Sequence, residues 1–245
     1  MKSRETIRVG AGAGTSDDRM VPALELAERG DIDYLVFECL AERTVSRENL
    51  ARSKDPELGY SPSLHARLRM VLPICLRKGI RIVSNMGAAN PHGGARAARK
   101  EAADLGLGDV AVAVVLGDDV SSIVKHRGEL TLIENGEPLE SILPKMISAN
   151  AYLGADVVCE ALNTGAPIVL RPGGRSVTVS GAVMHEFGWS YEDLPKIAQG
   201  TAAGHLLECT ASVTGAASAG PARRKSPISP ATAFPSPMSK PTAPS

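Results

Sequence analysis

The sequence predicts an α/β protein: a mostly parallel sheet of repeated βα units with helices on both faces. Three observations carry that prediction. Short runs rich in β-branched residues begin near residues 6, 34, 81 and 111, and stretches with helical spacing separate them, the order expected of right-handed crossovers between parallel strands. The runs are apolar along their length rather than alternating, as strands buried on both faces are. Glycine, asparagine or aspartate follows the first, third and fourth runs and a glutamate the second, and open α/β sheets place ligands at such strand ends.

Residues 6–9 form the first strand, running into Gly10, Gly12 and Gly14. Glycines at alternate positions let a backbone turn sharply and approach a ligand. The loop is neither GxGxxG nor followed by Gly-Lys-Ser/Thr, so it is not read as a nucleotide site. Asp17 or Asp18 is placed to cap a helix over about 21–29, with Val21, Leu24, Leu26 and Ala27 inward and Gly30 as its C′ residue. Residues 33–40, DYLVFECL, form the second strand. Residues 45–58 begin as a polar helix, 53–63 are a turn-rich loop, and 63–78 are a helix with Leu64, Leu68, Val71, Leu72 and Cys75 at helical spacing, stopped by Gly79. Residues 80–83 are the third strand, and Gly93–Gly94 lead into a helix over 95–105. Residues 110–116, VAVAVVL, read as the clearest buried strand. Residues 130–136 suggest a hairpin arm, 155–162 fit helix or strand equally, and 167–170 are a further strand.

Composition narrows the function. With 245 residues, 43% of them hydrophobic, the chain can bury one sizeable core or two small ones. A formal charge of zero argues against a partner held by phosphate contacts, and 3% aromatics against a base-stacking surface, so no nucleic-acid partner is expected. No apolar run approaches the roughly 20 residues of a membrane helix, and the N-terminus lacks the apolar stretch of a secretory signal. Cys39, Cys75, Cys159 and Cys209 are far apart with no CxxC pair, which fits a reducing cytosol; zinc would need long-range assembly, so no metal site is expected. Nothing in the sequence names a cofactor, and a homo-oligomer is left open.

The centre of the chain is 80–99, IRIVSNMGAANPHGGARAAR. A strand ends in a loop carrying Asn85, Gly87 and Asn90 and then opens a helix. Free N–H groups at a helix start favour an anion; the same residues also suit a plain βα turn. Glu38 stands at the end of the second strand, placed for acid–base or binding work, or for a salt bridge with Arg43 or another arginine. Asp118 and Asp119 follow the fourth strand, as ligands to a cation or a substrate hydroxyl or as a turn and cap.

Several strings together resemble the acyclic terpene utilisation (AtuA) family: VGAGAGTSDDR, DYLVFECLAERT, IRIVSNMGAANP, ISANAYLGA, HEFGW and AGHLLEC. The resemblance covers about 7–215. It implies a cytoplasmic bacterial protein linked to breakdown of citronellol- or geraniol-type acids as acyl-CoA thioesters. A small carboxylate or an acyl-CoA would be the ligand, and other enzymes of the pathway are possible partners; no reaction is implied. The motif positions are Gly12, Gly14 and Asp18; Glu38 and Glu42; Asn85, Gly87 and Asn90; Asn150; His185, Glu186 and Trp189; and His205, Glu208 and Cys209. Of these, Glu38 and His205 are the acid–base candidates, with a partly buried core histidine as the alternative for His205. Gly12, Gly14, Asp18, Asn85, Gly87, Asn90, Asp118 and Asn150 are the ligand-binding candidates. The expected picture gathers Glu38, Asn85 and Gly12 around one hollow.

Three departures stand out. Ala11 replaces a residue that is usually asparagine in the family. Residues 170–181, LRPGGRSVTVSG, leave the family pattern, which resumes at His185. The pattern stops again after 215, and the Pro/Ser/Ala-rich 216–245 reads as a disordered tail. Since the family usually runs on for about as long again, both breaks are read as frameshifts and the chain as truncated. Three readings follow: an enzyme-like protein of terpenoid catabolism, a non-catalytic subunit or scaffold for acyl-CoA enzymes, or a truncated inactive product.

Overall fold

Five short strands form one all-parallel sheet in the order β1-β2-β3-β5-β4 in a computed structural model that describes residues 6–173 and 177–210. The strands are β1 (Val9–Ala13), β2 (Tyr34–Phe37), β3 (Arg81–Ser84), β4 (Val112–Val114) and β5 (Ile168–Leu170). The helices are α1 (Val21–Arg29), α2 (Glu42–Lys54), α3 (Leu64–Lys78), α4 (Pro91–Asp104), α5 (Ser121–Lys125), α6 (Ala155–Asn163), α7 (Val177–Phe187) and α8 (Leu194–Glu208).

Strand order decides which face each helix covers. From β1 to β4 every step crosses the sheet in one direction, so right-handed connections place α1, α3 and α4 on one face. The step from β4 back to β5 reverses direction, which places α6, and then α7 and α8, on the other. The strands feed both layers alternately: Leu35, Phe37, Ile82, Ile168 and Leu170 join Leu68, Leu72 and Ala98, while Tyr34, Val36, Val83 and Val169 join Val158, Leu162 and Val183. The chain leaves β3 toward one layer and the adjacent β5 toward the other. The crevice between those two strand ends is the switch point where such sheets take ligands.

Several elements differ from the sequence reading, each for a visible reason. The first strand starts later and includes Gly10 and Gly12. A Cβ on Gly12 would lie 2.5 Å from the Phe37 ring and one on Gly10 2.9 Å from Ile32, so these glycines make room for neighbouring side chains instead of forming a loop. Met20, not an aspartate, is the N-cap of α1; Pro22, Ala23 and Ala27 face inward while Val21 is 55% exposed. Gly30 keeps helical angles, and Asp31 takes the left-handed position at φ 47°. α4 begins at Pro91, so Gly93 and Gly94 lie within its first turn. The expected buried strand over 110–116 shrinks to the half-buried β4, because β5 inserts beside β3 and leaves β4 at the edge. Residues 155–162 resolve as α6. The hairpin arm is a tight turn with one Thr131–Pro138 bridge. Gly79, at φ 70°, stops α3 as expected. No helix among the described residues is long and apolar enough to cross a membrane. The tail over 216–245 lies outside the described residues.

Candidate functional site

Four side chains close the switch-point crevice. Glu38 follows β2, Asn85 follows β3, Arg171 follows β5, and Thr178 lies in the first turn of α7. The Arg171 NH2 group donates to both Glu38 oxygens at 2.8 and 2.9 Å. Asn85 Nδ2 donates to Glu38 Oε2 at 2.8 Å, and the Thr178 hydroxyl donates to Oε1. Arg171 Nε donates to Thr178 Oγ1 at 3.0 Å, and NH1 to the carbonyls of Pro172 and Gly173. All four residues are at most 3% exposed. Two buried charges are tolerated because each is paired and hydrogen-bonded on every side. The Glu38 carboxylate already accepts four bonds, so taking a substrate proton would require it to release one. Its partner is an arginine, the alternative the sequence left open, supplied by the 170–181 segment.

The β3–α4 loop is held tightly beside this pair. Asn85 Oδ1 accepts from Cys39 N at 2.7 Å, and Ser84 Oγ donates to Phe37 O at 2.8 Å. A Cβ on Gly87 would lie 2.8 Å from the Arg171 carbonyl oxygen. Ala88, fully buried, sits at φ 47°, a left-handed conformation that a non-glycine residue adopts only when its surroundings dictate it. Asn90 is structural: its Oδ1 caps α4 through Gly93 N, and its Nδ2 donates to the carbonyls of Pro56 and Leu58.

Beside this crevice a cleft of about 240 Å³ opens between the β1–α1 loop and the start of α2, lined by Gly14, Thr15, Ser16 and Asp17 and by Cys39, Leu40, Ala41, Arg43 and Thr44. Asp18 shapes the loop by accepting from Gly14 N at 2.7 Å and Thr15 N at 3.1 Å. The N-terminus of α2 faces the cleft, with its partial positive charge. Below the loop, Arg67 is 1% exposed and donates to the carbonyls of Thr15, Ser16 and Asp18. Its NH1 has no hydrogen-bond partner among the described residues. Burial pushes the Cys39 thiol up to about 12, so it stands in the cleft as a neutral group and not as a thiolate nucleophile. Gly14 is pinned from the opposite side, because a Cβ there would lie 2.1 Å from the carbonyl oxygen of Glu208 at the end of α8.

The structure thus brings Glu38 and Asn85 together and sets Gly14 at the adjoining cleft, with Asp18 behind it holding the loop backbone. Gly12 stands apart inside β1 against Phe37 and lines no part of that cleft. Asp118 and Asn150 form a third group: Asn150 Nδ2 donates to Asp118 Oδ2 at 2.9 Å, and Asn49 Nδ2 donates to Asn150 Oδ1 at 3.1 Å. Burial raises the Asp118 carboxyl above its ordinary value. His205 is not a core histidine; its side chain is 70% exposed, with Nδ1 3.5 Å from Glu208.

A second polar network lies at the opposite end of the same strands. The Tyr34 hydroxyl donates to Glu186, and Arg81 NH1 lies 3.0 Å from His185 Nε2 and 3.2 Å from the Leu162 carbonyl. His185 Nδ1 lies 2.7 Å from Asn163 Oδ1. Sequence reasoning missed Arg171, Thr178, Arg67 and Arg81 as partners. An arginine directly after a buried strand and before Pro-Gly-Gly was the one available signal, for Arg171.

The family model described as acyclic terpene utilisation family protein AtuA matches residues 7–237, and the chain belongs to that family. No curated protein and no solved structure gives a significant match.

Proposed function

We propose that this member of the acyclic terpene utilisation family binds, and possesses the groups to convert, a small carboxylate or an acyl-CoA at the C-terminal ends of its strands. The supporting observation is the cleft between the β1–α1 loop and α2. A helix N-terminus faces it, Arg43 lines it, and the buried Arg67 guanidinium lies beneath its loop with NH1 lacking a hydrogen-bond partner among the described residues. Each of these favours a negatively charged head group. Next to that seat, Glu38 is an acid–base group that becomes available once a partner is released, and His205 lies on the helix whose end contacts Gly14.

Thermal shift with a panel of acyl-CoAs and short branched acids tests the reading, since a ligand that binds only the native form raises the melting point. At least one carboxylate or acyl-CoA is expected to raise it, and Arg43→Ala should weaken that rise. A flat response across the panel would discard the proposal. A scaffold role is favoured by one observation: between β4 and α6, Ile123, Ile133 and Ile147 are 59, 99 and 56% exposed. Co-purification with a carboxylase or hydratase, lost when these three become serine, is the expected result for that role.

A further inference from the structure

We infer that His185 is a proton-sensitive latch that holds the foot of α7 to the base of the sheet, closed while its imidazole is neutral and opened when the ring is protonated. The latch does not depend on which ligand the opposite rim takes.

The hydrogen bonds permit one form of the ring. Arg81 has only N–H donors, so Nε2, 3.0 Å from its NH1, must offer a lone pair. The ring proton then resides on Nδ1, which faces the Asn163 side-chain oxygen at 2.7 Å. A second proton would set N–H against N–H and place two positive charges side by side. The charged ring must therefore leave Arg81, and the link from α7 to β3 goes with it.

The surroundings give the direction. β3 presents Arg81 to the ring, β2 brings Tyr34 with Asp33 before it, and α7 itself adds Glu186. α6 supplies the uncharged Asn163 and the Leu162 carbonyl, and α8 meets α7 through Gly200 and Thr201, also uncharged. Burial and the Arg81 charge lower the imidazole pKa, and the Glu186 charge opposes them without reversing the result. The unfolded chain therefore takes up the proton first as pH falls. The latch contributes fully above the ordinary histidine value of about 6.5, and its contribution fades as pH falls from there toward the lowered native value.

The same helix reaches the other end of the sheet. Thr178, which bonds Glu38 and Arg171, lies seven residues before His185, about 10 Å along the helix axis. Loss of the Arg81 bond removes one polar link at the foot of α7 and leaves the Tyr34–Glu186 bond there and the Thr178 bonds at the rim to hold the helix.

The test uses the 245-residue chain. Nitrogen NMR of the His185 ring should show the Nδ1–H tautomer at pH 7.5 and a midpoint below the ordinary value. Over the same transition, amides of residues 177–187 should lose hydrogen-exchange protection, after correction for the intrinsic rate. The opening constant should rise by at most about tenfold for each unit of pKa lowering. His185→Gln keeps an acceptor for Arg81 without a titrating ring, so its α7 protection should not respond between pH 7.5 and 5.5. An Nε2–H tautomer at pH 7.5, a titration that leaves α7 protection unchanged, or the same acid response in His185→Gln would each overturn the latch.

Discussion

The two ends of β2 and β3 solve the same problem with opposite chemistry. At the C-terminal end, Glu38 and Asn85 meet Arg171 and the start of α7 through a pair of opposite charges, buried and bonded on all sides. At the N-terminal end, Tyr34 and Arg81 meet the last turn of α7 through a phenol and an imidazole that must stay neutral. The upper network is strong because removing either charge strands the other in the interior. The lower one is half-exposed and conditional, because a single proton changes a hydrogen-bond acceptor into a donor. One helix, α7, is anchored at both ends and so reports on both.

The comparison breaks most visibly at the top. Arg171→Met strands the Glu38 carboxylate and is expected to cost about 3–5 kcal/mol in urea unfolding. The double variant Glu38→Leu, Arg171→Met should lose less than Arg171→Met alone, since no buried charge remains unpaired. Additive losses would mean that the pair is not coupled as drawn.

At the bottom a smaller effect is expected. Tyr34→Phe removes one hydrogen bond to Glu186 and should cost about 1 kcal/mol. Burial raises the Tyr34 hydroxyl above its ordinary value, so this bond persists through neutral and alkaline pH, and the loss should be the same at pH 6 and pH 8. The His185 contribution, by contrast, should be present at pH 8 and diminished at pH 5.5, so chemical denaturation at the two values separates the halves of the lower network.

The smallest effect belongs to Asp118, beside neither network. Its native pKa is raised by burial, so the native state binds the proton more tightly than the unfolded chain. Its contribution is therefore present at acid pH and lost as pH rises through the raised value. Asp118→Asn should stabilise by less than about 1 kcal/mol at pH 7 and give no gain at pH 3.

Much of the fold was legible because it rests on local chemistry. Gly79 ends α3 where a left-handed residue was needed, and Leu64, Leu68, Val71, Leu72 and Cys75 all turn inward as their spacing requires. Other features resisted because they depend on partners far along the chain. Gly10 and Gly12 read as a sharply turning loop that could approach a ligand, and only the Phe37 ring and Ile32 side chain against them show why they are small. The seven-residue apolar run over 110–116 reads as a central strand, yet nothing in it says that a later strand will take the place beside β3. Of the candidate site, Glu38 and Asn85 were placed together, while Arg171 lay in a segment that offered no period to follow.

The sequence by itself determined the class of fold, the glycine stop that ends α3 and the family to which the chain belongs, because residue spacing and local backbone preference act over a few positions. The tertiary structure decided which face each helix covers, which arginine neutralises Glu38 and which nitrogen of His185 carries its proton. Those outcomes rest on contacts between groups 104 to 133 residues apart, and such contacts exist only once the sheet has set its strand order.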